Sequence, residues 1–407
     1  MKKILVITML YPSRESPHFG VFIKREVESM AGLYSQKVIV PIPWRFSHGR
    51  DSALPGDRHD RDARNGIEVI YKKYFPLPGA VFLPAKGVWF YLFLVGLIRK
   101  IQVDFDFDLI HAHNAYPEGY CGLLIKNEFK KPLIVSCRGN DLNKLPESFV
   151  LRPMIRRVLN NADAVITVSK SLARRAVELG ADPEKISLMP KGVDMDVFKP
   201  MSRTKAREKL NLPMDKTIVL SVGWLITRKN PFSFTKVLLD CTVAERENLL
   251  FVWVGEGPRR TELEREIKAN NLEKHVKLAG RRDPAEIAIW MNAADIFMLV
   301  SFSEGMPNVL YEAMACGVPV VASNVDGASE VVNHWKNGFL VSPYDYKKMY
   351  EYILLLKNDP GLRKNIGSNA LRYMKDNNLY WEKNANWLRN KYELIISSDA
   401  SEANRNE

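Results

Sequence analysis

Ser303-Glu304-Gly305-Met306-Pro307-Asn308-Val309-Leu310-Tyr311-Glu312-Ala313-Met314-Ala315-Cys316-Gly317-Val318-Pro319-Val320-Val321-Ala322 reads as loop, helix and strand in one run. The apolar residues just before it, Ile296-Phe297-Met298-Leu299, form a buried strand that ends near Val300. Gly305 and Pro307 then make a loop that exposes backbone N–H groups. A helix is expected from about Asn308, whose side chain can cap it, and the positive end of that helix is a ready anion site. Glu304 lies in the loop and Glu312 on the helix. A carboxylate accepts hydrogen bonds from two adjacent sugar hydroxyls. Phosphate at the amides and hydroxyls at the acids would suit a phosphorylated sugar. A capping carboxylate beside a solvated one accounts for the same spacing.

The same alternation extends outward. In the first half, residues 3–9, 37–42, 108–112, 133–136 and 164–168 read as strands, with helices over 19–33 and 117–129 and another from an N-cap at Ser169 through Leu179. The pattern restarts after Pro200 with strands at 217–223, 249–255, 276–278, 295–299 and 318–322. Buried strands alternating with helices imply an α/β class with doubly wound parallel sheets, one per half. The boundary is placed at Val193–Pro200, giving domains 1–195 and 196–379. A C-terminal helix is expected over about 380–396, and the polar residues 397–407 as a disordered tail.

The 407 residues suffice for two or three domains of about 100–200 residues each. With 46% apolar and 26% charged residues, the chain is neither disordered nor fibrous. Its net charge of +12 implies an anionic partner. The excess lies in the first half, +9 in residues 1–200 against +3 in 201–407. Cys121, Cys137, Cys241 and Cys316 are far apart, which excludes a disulfide scaffold and a zinc ribbon and fits a reducing cytosol. Ile4-Leu5-Val6-Ile7 after two lysines is a buried first strand, since no small-residue cleavage site follows. Val88 to Ile98 is apolar but too short to span a bilayer, and reads as a core helix.

Gly223-Trp224-Leu225-Ile226-Thr227-Arg228-Lys229-Asn230 follows a strand and precedes a helix, and its adjacent cations suit a diphosphate. His111 and His113 alternate at a strand end, so only one is expected to face a site. The D-x-D pairs within Asp104-Phe105-Asp106-Phe107-Asp108 and Asp194-Met195-Asp196 could hold a divalent cation, but the first precedes a strand and the second marks the domain junction, so no metal is expected. Lys126/Lys130/Lys131, Arg152/Arg156/Arg157 and Lys170/Arg174/Arg175 make cationic helical stripes. No nucleic-acid recognition module accompanies them, so an anionic membrane or lipid diphosphate is the expected contact and nucleic acid is not.

The segment from Ser303 to Ala322 resembles the donor motif of retaining GT-B glycosyltransferases of family four, two Glu with seven residues between them, ending in Ala-Met-Ala-Cys-Gly-x-Pro-Val-Val-Ala. The resemblance continues through Asn161 to Ser169, Gly192-Val193-Asp194 with Phe198 and Pro200, and Val254-Gly255-Glu256-Gly257-Pro258. Tyr11-Pro12-Ser13, Phe19-Gly20-Val21-Phe22 and His111-Ala112-His113 are similar to members that build cell-wall or exopolysaccharide chains. It implies two Rossmann-like domains facing across a cleft. The first would bind a lipid-linked or polysaccharide acceptor, the second a nucleotide-sugar, and the C-terminal helix would pack back on the first. It further implies a cytoplasmic enzyme, peripheral at the membrane, that transfers a hexosyl unit with retention. A sugar-nucleotide epimerase of the same fold is the alternative; a nucleic-acid-binding protein would leave Glu304 and Glu312 without a role.

By that resemblance Glu312 holds the donor ribose, Glu304 faces the donor hexose, and the backbone of Gly305, Met306, Pro307, Asn308 and Val309 contacts sugar or diphosphate. Gly20, Gly223 and Gly257 lie on loops that approach the donor. Lys229 matches the family's lysine; Trp224 stands where the family has arginine, with Arg228 next in line to supply that charge. Arg138, in Cys137-Arg138-Gly139-Asn140-Asp141, replaces the family's histidine, and Asp141 is expected to hold it. Arg138 and His113 complete the implied catalytic set.

Overall fold

A computed structural model describes residues 1–13, 19–43, 58–62, 66–76, 80–189 and 192–403. They fall into two compact α/β units, Met1–Pro190 with Glu382–Glu407, and Lys191–Trp381.

The first unit holds β1 (Lys3–Ile7), β2 (Ser35–Pro43), β3 (Arg58–Asp62), β4 (Ile67–Tyr74), β5 (Leu109–His113), β6 (Leu133–Cys137), β7 (Ala164–Thr167) and β8 (Ile186–Leu188). Their order is β3-β4-β2-β1-β5-β6-β7-β8, parallel except for the antiparallel edge pair β3–β4. The run after Met1 is therefore a central strand. It pairs with both β2 and β5 and is wholly buried from Ile4 to Ile7, as a strand covered on both faces must be. Ser169 caps its helix as the sequence implies, its hydroxyl accepting the Leu172 amide.

The second unit holds β9 (Thr217–Val222), β10 (Leu249–Val254), β11 (Val276–Gly280), β12 (Ile296–Leu299), β13 (Val320–Ser323) and β14 (Phe339–Val341), all parallel, in the order β11-β10-β9-β12-β13-β14. Strand order reverses between β1 and β5 in one sheet and between β9 and β12 in the other. In open α/β sheets ligands bind beyond the carboxyl ends of the strands at such reversals. Arg228, Lys229 and Glu304 lie beyond one reversal, and Gly20 and Asn114 beyond the other.

Two sequence expectations are corrected at the C-terminus. The last helix runs Trp381–Ala403, so residues 397–403 are helical rather than a tail; residues 404–407 lie outside the described residues. The Ser397 and Ser398 hydroxyls turn back onto the Leu394 and Ile395 carbonyls, and extending an existing helix is easy once its nucleus is anchored. The anchor is Leu388, Tyr392, Ile395 and Ile396, which join the core of the first unit. The boundary also lies earlier than 195/196. Val193 bridges Tyr380 and donates to the Leu379 carbonyl at 3.1 Å, which draws Val193 into the second unit.

Helix Lys86–Asp104 buries Gly87, Phe90, Leu94, Ile98 and Ile101, a stripe at helical spacing. It is not core all round, because Val88 and Leu92 on its outer face are exposed. All four cysteines are free and buried.

Candidate functional site

Beyond the ends of β9 and β12 two loops are tied together. The Phe302 amide donates to the Arg228 carbonyl at 2.9 Å, and Arg228 Nη1 donates to the Ser303 carbonyl at 2.8 Å. This brings two cations onto one carboxylate. Lys229 Nζ lies 2.6 Å from Glu304 Oε1 and Arg228 Nη1 lies 3.1 Å from Glu304 Oε2. Glu304 is 5% exposed. Burial alone would push its carboxyl up, but Lys229 and then Arg228 outweigh burial and hold it below the ordinary glutamate range. Two cations against one anion leave the cluster net positive, with Arg228 half exposed and able to meet a further anion.

Helix Asn308–Ala315 begins beside this cluster. Pro307 occupies the cap position without a side-chain bond, which corrects the expected Asn308 cap. Asn308 is the first helical residue, and its Oδ1 is buried without a partner. The first amides of a helix have no intrahelical acceptor, so with no capping side chain they stay available to a ligand. Glu312 sits one turn in and is half-buried. Met306 Sδ accepts the Tyr311 hydroxyl at 3.1 Å.

The glycines of these loops are required by backbone contact. A Cβ on Gly257 would lie 2.5 Å from the Leu225 carbonyl oxygen. Gly20, at φ +70°, opens helix Val21–Ser29 in the first unit, and a Cβ there would lie 2.2 Å from the Leu10 carbonyl carbon. Trp224, at the family's arginine position, is 60% exposed.

The first unit holds a second charged cluster. Arg138 Nη2 donates to Glu26 Oε2 at 2.6 Å and lies 3.0 Å from His113 Nδ1, and the guanidinium stands over the Phe22 ring at 5.5 Å. Asp141, expected to hold that side chain, instead takes backbone amides: Arg138 and Gly139 on Oδ1, Ala115 on Oδ2. Such a short acceptor near its own main chain is better placed for amides than for a long guanidinium. Glu26 is the residue the sequence reading missed. Its signal was a carboxylate on a buried helical face with Ile23 and Val27.

His111 and His113 do not face opposite ways. Two positions apart on a strand share a face, and their rings lie 4.3 Å apart. His111 bonds the Tyr392 hydroxyl at 2.6 Å through Nδ1 and Ser136 Oγ at 2.8 Å through Nε2. Burial, with Arg138 adding to it, lowers the His111 pKa to about 3; burial followed by His111 and Arg138 lowers that of His113 as well. Both rings are neutral at pH 7, and His113 accepts from Arg138 through Nδ1, which places its proton on Nε2.

Glu26, His111 and His113 offer ligand atoms within 4.8 Å of one another. They do not fit a metal. Both His111 nitrogens are engaged, and the Arg138 guanidinium stands where a cation would. Three of the D-x-D carboxylates are also engaged. Asp106 pairs with Lys131 at 2.9 Å, Asp108 with Lys2 at 3.0 Å, and Asp194 Oδ1 takes the Asp196 amide at 3.1 Å and the Val197 amide at 3.2 Å.

Residues 202–373 match the family model described as glycosyl transferases group 1, and residues 50–197 that of glycosyltransferase family 4. The chain is 27% identical over 406 residues to the putative teichuronic acid biosynthesis glycosyltransferase TuaC of Bacillus subtilis, covering 97% of this chain and 99% of the relative. It is 30% identical over 310 residues to the uncharacterized glycosyltransferase MJ1178 of Methanocaldococcus jannaschii, covering 76% and 82%. Its fold superimposes on sucrose-phosphate synthase from Thermosynechococcus elongatus with a TM-score of 0.81 at 20% identity, over 98% and 100% of the two chains.

Proposed function

The chain belongs to the group 1 glycosyl transferases of family four, which have the GT-B fold and use nucleotide-sugar donors, and from this premise we propose that it moves a hexosyl unit to an acceptor hydroxyl with retention of configuration, in cell-surface polysaccharide synthesis. The observation that carries the reading is the Lys229–Glu304–Arg228 cluster beside an uncapped helix start. Lys229, Arg228 and the amides from Gly305 to Val309 would stabilise charge on the leaving diphosphate. Glu304 would hold both cations in place and favour the cationic sugar, and Glu312 would take the ribose hydroxyls. Gly223 and Gly257 would let backbone approach the donor. In the first unit Gly20 and Arg138 would serve the acceptor side. His113 would act by holding Arg138, since a buried ring whose lone pair is taken cannot abstract a proton. Likeness to TuaC along nearly the whole of both chains supports the polysaccharide role. Proton NMR of the first product formed from an α-linked donor should show an α-anomer. A β-product would remove the retaining mechanism.

The acceptor is proposed to be lipid-linked or polymeric, with the enzyme at the cytoplasmic membrane face. Among the described residues no helix is long and apolar enough to cross a membrane, so contact would be peripheral. Val88 and Leu92, one turn apart on helix Lys86–Asp104, give an exposed apolar strip, with exposed Lys100 two turns further on; Arg99 beside it is paired with Glu128 at 2.6 Å. Two of the other cationic stripes are partly neutralised, since Lys126 pairs with Asp163, Lys131 with Asp106, and Arg175 with Glu178. The protein should co-sediment with anionic vesicles at low salt and release at high salt. Leu92→Glu should reduce binding at low salt. Wild-type protein that stays in the supernatant at low salt would sink the membrane part alone.

A further inference from the structure

The opposite edge of the second sheet, where strands begin, carries a charge imbalance. Asp295 directly precedes β12. Its Oδ2 takes the Ile218 amide at 2.8 Å and Arg207, and its Oδ1 takes Arg203. Arg207 is 5% exposed and spends its remaining donors on the carbonyls of Ala293, Pro213, Met214 and Lys216 at 3.0–3.2 Å, a structural role. Both carboxylate oxygens are then used, yet a third guanidinium stands there. Arg363 Nη2 lies 3.8 Å from Asp295 Oδ1, beyond hydrogen-bond length, and Nη1 donates to the Leu356 carbonyl at 3.3 Å. The next residue, Lys364, is exposed and makes no ion pair among the described residues.

These groups line a cavity of about 410 Å³ walled by Arg203, Asp295, Cys316, Pro360, Arg363 and Lys364 among others. A second cavity of about 370 Å³ shares Arg203, Asp295 and Arg363 and adds Arg207, Lys216 and Asp215. Five cations thus face two carboxylates. Pro360, at the start of helix Pro360–Asp376, lines the larger cavity, but the Asp359 carboxylate caps that helix by accepting the Leu362 amide at 2.8 Å and offsets its positive end, so the cationic side chains carry the potential. Burial depresses the Arg363 pKa, Asp295 counteracts, and Arg203 and Arg207 depress it further, so an added anion would relieve mutual repulsion.

We infer that this cavity binds a small phosphoryl anion, a phosphate, diphosphate or phosphorylated sugar, between Arg203, Arg363 and Lys364. Arginine forks and a lysine point charge are the groups that recognise phosphoryl oxygens. The site is distinct from the donor edge, because Asp295 precedes β12 and Glu304 follows its other end.

Calorimetric titration of the full chain with pyrophosphate tests this. A Lys229→Ala background weakens the donor edge, so that remaining binding reports the new site. In that background pyrophosphate should still bind saturably. Lys364→Glu should weaken it roughly tenfold or more, the scale of one reversed charge a few ångströms from an anion near the surface. Arg363→Gln should act in the same direction. Lys364 is exposed, so its variant should keep the wild-type melting temperature even if the Arg363 variant does not fold. An unchanged isotherm in Lys364→Glu would overturn the inference, as would loss of all binding in the Lys229→Ala background. Phosphatidylglycerol vesicles serve as the second arm. Binding to them that Lys364→Glu abolishes, with none to pyrophosphate, would assign the cavity to lipid headgroups and overturn it equally.

Discussion

Lys229→Ala is expected to lower kcat by roughly 10²–10³-fold, far more than it raises donor KM, the loss typical of removing one preorganised charge partner from a transition state. Negative charge on the leaving diphosphate grows as the glycosidic bond breaks, so a cation there is worth more in the transition state than in the bound substrate. Lys229 is mostly buried, with 13% of its side chain exposed, and Glu304 aims its ammonium at 2.6 Å, so little reorganisation is needed when charge develops. Arg228 still pairs with Glu304 in the variant, so the carboxylate is not orphaned and the fold should survive. Glu312→Ala provides the contrast. It should raise donor KM by the loss of charged hydrogen bonds worth about 1.5–3 kcal/mol and leave kcat closer to wild type. Steady-state kinetics at saturating acceptor separate the two. A Lys229→Ala enzyme with wild-type kcat and only a raised KM would place the lysine in ground-state binding and remove it from the chemistry.

The strands and the loops that follow β9 and β12 were legible because their signals are local. Ile4 to Ile7 and Leu249 to Val254 are unbroken apolar runs with one stable solution, strands covered on both faces. Glu304 and Lys229 were legible for a different reason: each lies just past such a strand, and the β9–β12 reversal brings the two strand ends together. What escaped was set by packing between distant segments. Glu26 meets Arg138 across 112 positions, and Tyr392 meets His111 across 281. No pattern in either segment announces its partner. The Asn308 cap failed because Pro307 took the cap position. The histidines failed on a simple period: two residues apart on a strand is one face, not two.

Glu26→Ala should destabilise the first unit by about 3 kcal/mol, the lower end of what breaking a buried ion pair costs. The lower end applies because the Arg138 side chain keeps 12% of its surface in water, while that of Glu26 keeps 4%. Removing Glu26 leaves the guanidinium with His113 Nδ1 and the Phe22 ring, neither of which carries a compensating charge. For a unit of this size the loss corresponds to roughly 6–12 °C in melting temperature. The measurement belongs at pH 8, where both histidines are neutral in either state. The native pKa values of His111 and His113 are depressed, so their contribution is full above the unfolded histidine value and is lost as pH falls from about 6.5 toward about 3. An acid-side melt would mix the two effects. Glu26→Leu combined with Arg138→Met should recover most of the stability, because the cost lies in the unpaired charge rather than in the absence of the pair. Activity separates position from stability: the double variant should be folded and yet impaired on the acceptor side, with acceptor KM raised and donor KM near wild type. A Glu26→Ala melt within a degree of wild type, together with additive effects in the double-mutant cycle, would show that Arg138 is held by something other than this carboxylate.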